Sequence, residues 1–227
     1  MRLGSSTLAT EYKMSMHSID TVRDIRDLGF FYNNKLDFAI HYKELFKRAC
    51  NRTYQIFKAL AMKDSKVLLK AYKIYVRPLV ESGTVVFFPH RRRDIAKLER
   101  IQNNFTRKIF FRTAGPHYSR IPSAKNRDKR FKLSSLESRR EIFDVCMVHK
   151  LLDGMSGANV SLFFTLVQSL TRAGETKISY SRPKTAVRAN FFTVRAGSTY
   201  IRLKKTTTLT RSLASFKRKM TKLILRY

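Results

Sequence analysis

Lys63, Lys66, Lys70, Lys73 and Arg77 are separated by three, four, three and four residues. On an α-helix, at 100° per residue, this spacing places all five within an arc of about 80° and draws a cationic ridge about 21 Å long. A ridge of that length can follow several phosphates along one side of a duplex. A solvated face also accumulates lysine, but ordinary exposed helices intersperse both signs. The ridge is therefore expected to meet phosphate, without acidic partners one turn on. Arg91, Arg92 and Arg93 follow Pro89-His90 at the start of a further predicted helix. There the positive end of the macrodipole disfavours each cation by a few tenths of a kcal/mol, so something other than helix stability keeps them. A phosphate clamp is one reading, and a solvated turn or an import-like basic cluster is the other. Arg107 and Lys108, later on the same helix, complete the expected nucleic-acid-binding set.

Catalytic constellations are missing from the sequence. No two aspartates are adjacent, so the paired carboxylates with which a polymerase holds two magnesium ions are not found. Asp20, Asp24 and Asp27 alternate with arginine or apolar residues and read as a salt-bridged hairpin. His17, His41, His90, His117 and His149 have no metal-ligand spacing, and Cys50 and Cys146 fall on apolar helical stripes. Gly154 and Gly157 precede no Lys-Ser or Lys-Thr helix start of a phosphate-cradling loop. Two glycosylation sequons, at Asn51 and Asn104, fall inside predicted helices.

Composition points the same way as the ridge. Among 227 residues, 47 Lys and Arg oppose 16 Asp and Glu, leaving a net charge of +31. An excess of that size is tolerable against a polyanion, of which nucleic acid is the commonest. With 43% apolar residues and 17 Phe the chain can bury a core, which separates it from a disordered basic tail. All sixteen carboxylates lie at or before Glu175, whereas fourteen Lys and Arg follow from Lys177 to Arg226, so the last quarter reads as a separate electrostatic region. Two cysteines are too few for a disulfide framework or a cysteine-held metal. Neither an apolar run of membrane-spanning length nor a signal-type apolar stretch is found, so the expected setting is intracellular, nuclear or cytoplasmic, with no membrane partner and no secretion.

The elements that must position these cations follow from periodicity. Alternation through Tyr12 to His17, and the run Leu28-Gly29-Phe30-Phe31-Tyr32, predict two or three short antiparallel strands, with Asn33-Asn34 able to take a left-handed turn. From Phe38 the period becomes helical, through Tyr42, Leu45, Ala49, Thr53, Ile56 and Leu60. A second helix is expected from Asp64 to about Val80, with Pro78 threatening a kink. The third carries Ile95, Leu98, Ile101, Phe105 and Ile109. The fourth is expected to start with a capping box, Ser134 to Glu137, and to end before Gly154. A fifth, with Leu213, Phe216, Met220 and Leu223, closes the chain. The fold class is mainly α, with a short N-terminal antiparallel hairpin or meander.

Several of these blocks resemble the downstream part of the reverse transcriptase of non-LTR retrotransposons, the jockey-like RNA-directed DNA polymerases. Asp27-Leu28-Gly29-Phe30 followed by Lys35-Leu36-Asp37-Phe38 looks like the hairpin after the family's catalytic palm motif. The most specific match is Leu68-Leu69-Lys70-Ala71-Tyr72-Lys73-Ile74-Tyr75-Val76-Arg77-Pro78-Leu79-Val80-Glu81, supported by Leu98 to Arg107 at the family's usual distance. Leu136 to Arg140, Thr171-Arg172 and Asn190 to Arg195 follow in the family's order. The sequence departs where the family has Trp-Asn-x-Leu-Pro after Arg195: here stands Tyr200-Ile201-Arg202-Leu203-Lys204, and there is no Trp at all.

The resemblance implies a fragment: a palm-edge β-hairpin remnant over 1–37, a thumb-like helical bundle over 38–112, a linker over 113–133, a helix over 134–153 and a basic C-terminal region over 154–227. It implies a grip on the phosphates of an RNA or RNA-DNA template-primer, no cofactor in this part, magnesium only with the missing palm, and the upstream polymerase region as a partner. Two other readings fit the same composition. One is a basic structural RNA-binding protein of the ribosomal type, and the other a non-functional translated transposon remnant.

Overall fold

The computed structural model describes residues 1, 3, 11–115, 121–168, 176–179, 182–206 and 212–225. Pro116 and the Thr171-Arg172 block lie outside them. Two small hairpins open the chain: β1 (Lys13–Met14) with β2 (His17–Ser18), and β3 (Asp24–Asp27) with β4 (Phe30–Asn33). In the second, Asp27 pairs with Phe30, and the two-residue loop is Leu28-Gly29, with φ of 46° and 87°. Positive φ at both loop residues matches the strand twist of a tight hairpin. The left-handed turn is therefore here and not at the Asn pair. Asn33 acts through its side chain instead: Oδ1 accepts from the backbone N–H groups of Lys35 (3.0 Å) and Asp37 (2.9 Å). Asp37 in turn accepts from Ala39 N at 2.8 Å and opens α1 (Ala39–Ala59).

The apolar stripe of α1 buries Tyr42, Leu45, Ala49, Thr53 and Ile56, as its spacing requires. Next come α2 (Ser65–Ala71), a π-helical turn (Tyr72–Val76) and α3 (Arg77–Glu81), continuous in sequence. Asp64 caps α2 by accepting from Lys66 N at 2.7 Å. The π-turn, with Arg77 N–H reaching back to Tyr72 O, accommodates Pro78 where a regular helix would meet its ring at the carbonyl four residues earlier. Gly83 follows with φ +69°, and a Cβ there would come within 2.5 to 2.8 Å of the Phe30 and Phe87 rings. Only glycine meets both conditions.

α4 (Arg92–Ala114) ends at Gly115. The segment expected to be a linker contains α5 (Ala124–Phe131), riveted to α4 by Arg127. That buried guanidinium donates to Thr106 Oγ1 at 3.2 Å, to Pro122 O and to Asn103, and Phe131 packs on Phe110 with ring centres 5.3 Å apart. α6 (Leu136–Leu152) is capped by Ser135, which accepts from Ser138 N at 3.1 Å. The cap falls one residue later than the expected box because Glu99 of α4 supplies the acceptor for Glu137 N, at 2.8 Å.

The C-terminal region contains a ribbon of β5 (Thr165–Gln168) and β6 (Thr176–Ser179), then α7 (Ala186–Asn190), α8 (Phe192–Thr206) and α9 (Leu213–Leu225). Its charge does not make it a loose tail. Phe164, Phe192, Tyr200, Phe216 and Met220 form a second core with Val145, Val148 and Leu151 of α6. The first core joins α1, α2, α3 and α4 around Leu68, Tyr72, Leu98 and Phe105, and Leu136 of α6 belongs to it. α6 therefore enters both cores.

His41 lies 4% exposed against Phe87 (4.2 Å between ring centroids) and Phe30 (5.4 Å), and neither of its ring nitrogens has a hydrogen-bond partner. Burial first, then Arg48, pulls its pKa from 6.5 to about 4. Between these values the unfolded chain binds more protons than the folded one, so acidification destabilises. Asp144 acts oppositely, because burial raises its pKa from 3.8 to about 6 and the folded chain holds the extra proton. The two offset in the whole protein, and a single substitution separates them. His41→Phe is expected to stabilise the fold by about 2 kcal/mol more at pH 5 than at pH 7.5, measured by urea denaturation. An equal effect at the two pH values contradicts this account of His41.

Candidate nucleic-acid interface

α1 and α4 run side by side in the same direction. At their starts Arg91, which caps α4, donates to Asp37 at 2.6 Å; further on, the Phe57 and Phe105 rings meet at 5.0 Å. At their ends Arg112 donates to Phe57 O at 2.6 Å and to Leu60 O, with its guanidinium 4.8 Å from the Phe57 ring centre. The buried face of α4, Leu98, Ile101, Phe105 and Ile109, fixes which residues turn outward. Arg93, Lys97, Arg100, Asn104, Arg107, Lys108 and Phe111 all fall on the opposite side, within an arc of about 100°. From Arg93 to Lys108 the stripe is about 22 Å long at 1.5 Å per residue. On α1, Lys43, Lys47, Cys50, Tyr54 and Lys58 occupy an arc of about 80° in the same way.

The two stripes flank one cleft. Cys50 and Thr53 of α1 and Ile101, Asn104, Arg107 and Lys108 of α4 line a hollow of about 130 Å³. The Lys108 ammonium lies over the Phe57 ring, 5.8 Å from its centre, on an otherwise exposed side chain. Among the described residues, Lys43, Lys47, Lys58, Lys97, Arg100, Arg107 and Lys108 make no ion pair. Both α4 carboxylates are used elsewhere: Asp94 is buried, and Glu99 serves the α6 cap. Burial pushes the Cys50 thiol up despite Lys108, which disfavours the reactive thiolate. An extended cationic groove with the exposed Tyr54 suits a phosphate backbone, with that ring available to a sugar or base.

The residues expected from the sequence divide. Arg107 and Lys108 line this cleft and Arg93 belongs to its α4 stripe, in loose contact with Asp94 at 3.8 Å. Arg92 is exposed in the first turn, while Arg91 is tied to Asp37. The five-residue ridge does not form as one helical face. Lys63 precedes α2, Lys66 and Lys70 are exposed on it, and Lys73 is half-buried in the π-turn. Arg77 is half-buried and pairs with Glu81 at 3.6 Å, a partner four residues on that the ridge reading did not count. The wide turn at Tyr72–Val76 also shifts the phase beyond Ala71. Lys43, Lys47, Lys58, Lys97 and Arg100 were not singled out in the sequence. Their signal was there in the spacing of Arg93, Lys97, Arg100, Asn104 and Arg107, but one uncharged position and interleaved acids obscured it.

Among the described residues no group of three or more His, Cys, Asp or Glu side chains could hold a metal ion, and no helix is long and apolar enough to cross a membrane. No protein-family model matches the chain, and no solved structure matches it. A curated Caenorhabditis elegans protein described as uncharacterized is 27% identical over 88 residues, which are 39% of this chain and 44% of that relative. The chain is thus similar, over less than half the length of either, to a protein whose printed description assigns no function.

Proposed function

We propose that this chain grips the phosphate backbone of an RNA or RNA-DNA duplex, as the thumb and downstream part of a polymerase resembling the non-LTR retrotransposon reverse transcriptases, and performs no chemistry itself. The observation that carries the grip is the α1–α4 groove, in which Lys43, Lys47 and Lys58 of α1 and Lys97, Arg100, Arg107 and Lys108 of α4 make no ion pair among the described residues. Helices of about 32 to 35 Å can accompany a duplex for roughly one turn of its length, and unneutralised cations along them release counterions when phosphates arrive. Such contacts fix register without reading sequence. In a polymerase that grip positions a primer end, while metals held by another region assist the attack. The blocks from Leu68 to Glu81 and from Leu98 to Arg107, which carry the family resemblance, are the helices that build the bundle around the groove.

The test combines activity with preference. The purified chain is expected to incorporate no nucleotide on a primed template with magnesium or manganese, yet to bind an RNA-DNA duplex more tightly than a single strand of equal length. Incorporation above a heat-killed control contradicts the fragment reading. Preference for the single strand contradicts the thumb reading and favours a structural RNA-binding protein.

A further inference from the structure

A second cleft, of about 490 Å³, lies between the loop before α4 and the helices α6 and α8. Its electrostatics are opposite to those of the groove. Glu137, Glu141 and Asp144, spaced four and three residues apart on α6, all line it. Asp144 is 3% exposed; its Oδ2 accepts from Arg195 Nε at 2.8 Å, while its Oδ1 is buried with no hydrogen-bond partner. Glu141 accepts from Arg202, an exposed residue, at 3.1 Å. The facing wall is the Phe88 ring, with the Arg195 guanidinium 4.7 Å from its centre.

A buried carboxylate oxygen left without a donor is costly, because it has given up water without replacement. Arg195 does not supply that donor: its Nη1 donates to Asn190 O at 2.7 Å and its Nη2 to Thr84 O at 2.9 Å and Val85 O at 3.3 Å. A ligand that donates hydrogen bonds and carries positive charge would satisfy Oδ1, and Glu137 at the mouth would add attraction. The overall charge of +31 does not forbid this, since exposed charges beyond about 8 Å are largely screened at physiological salt. The aromatic wall suits an alkyl stem or a planar cation. A phosphate, by contrast, would face three carboxylates.

We propose that this cleft binds an organic cation, an alkylammonium or guanidinium group, with Asp144 Oδ1 as its acceptor. The group can come from a free amine or from a Lys or Arg side chain of a basic peptide. Calorimetric titration of the full chain with N-ethylguanidinium, spermidine and an Arg-Lys dipeptide amide tests both sources. Saturable binding of at least one probe is expected, weakened about tenfold or more by Asp144→Asn. Because that variant also loses an ion pair and can fail to fold, the double variant Glu137→Gln/Glu141→Gln is the second arm, with an expected loss of about threefold to tenfold. Saturation by the free cations identifies a small-molecule ligand, and saturation by the dipeptide alone identifies a basic protein segment. No saturation by any probe, or unchanged affinity in the folded variants, overturns the proposal.

Discussion

Replacing Arg140 by alanine is expected to remove about 3 to 5 kcal/mol from the stability of the fold. Arg140 is completely buried on α6, donates to Val80 O at 2.8 Å, and leaves Nε and Nη1 without hydrogen-bond partners. Its charge is compensated at longer range by Glu99 and Glu81, and burial lowers its pKa. Alanine opens a cavity at the crossing of α3, α4 and α6 and leaves the Val80 carbonyl and the Glu99 carboxylate, itself pushed up by burial, without their cation. Arg140→Met fills most of that space and removes two unpaired donors, and it shares with alanine only the loss of the hydrogen bond to Val80 O and of the charge facing Glu99 and Glu81. It is therefore expected to recover at least half of the loss. Urea denaturation of both variants checks this, and an alanine variant within about 1 kcal/mol of the parent contradicts the assignment. Arg140 sits beside two further ties from the second core to the end of α3 and the loop after it: Arg139 pairs with Glu81, and Arg195 donates to Thr84 O at 2.9 Å. Cleavage of that connection is expected to broaden or split the unfolding transition.

These arginines show where the sequence stops being legible. The apolar stripes of α1, α4, α6 and α9 were readable because burying one helical face demands a fixed spacing, and the residues expected inside, such as Leu45, Leu98, Phe105, Phe216 and Met220, are inside. Charge carries no such demand. Arg127, Arg140 and Arg195 look in sequence like members of the same basic surplus as Lys66 or Arg100, yet they are structural, each held by a carbonyl from a segment distant in sequence: Asn103, Val80 and Thr84. The register of caps was also hidden. Ser135 and not Ser134 starts α6 because a residue on another helix, Glu99, already satisfies one N–H. The ridge from Lys63 to Arg77 failed as a single face through backbone geometry, since a π-turn has no strong local signature and Pro78 advertises a kink as readily as an accommodation. Of the sequence-derived site, Arg93, Arg107 and Lys108 lie on the outward stripe of α4, which the sequence reading did not follow through Lys97 and Arg100.

The groove predicts the largest functional effect. If Lys47, Lys97, Arg100, Arg107 and Lys108 each neutralise a phosphate, log K for a duplex falls with log salt at about 0.9 per contact, or roughly 4 to 5 units of slope from these five. Changing all five to Gln is expected to remove most of that slope and to weaken binding at low salt by about two orders of magnitude or more. The fold should be unaffected, because the five lie on exposed or half-exposed helix faces, make no ion pair among the described residues, and Gln nearly matches their helix propensity. The loss should be alike for unrelated duplex sequences. A parallel variant with Lys63, Lys66, Lys70 and Lys73 changed to Gln separates the groove from the first-read ridge, of which only Lys66 and Lys70 stand exposed together on one helix. The decisive measurement is the salt dependence of RNA-DNA duplex binding for the parent and these two variants at matched helical content. The account predicts that the groove variant loses about 4 units of slope and the ridge variant at most about 2. A groove variant that stays helical and keeps the parental slope contradicts the grip, and places the binding charge elsewhere on the chain.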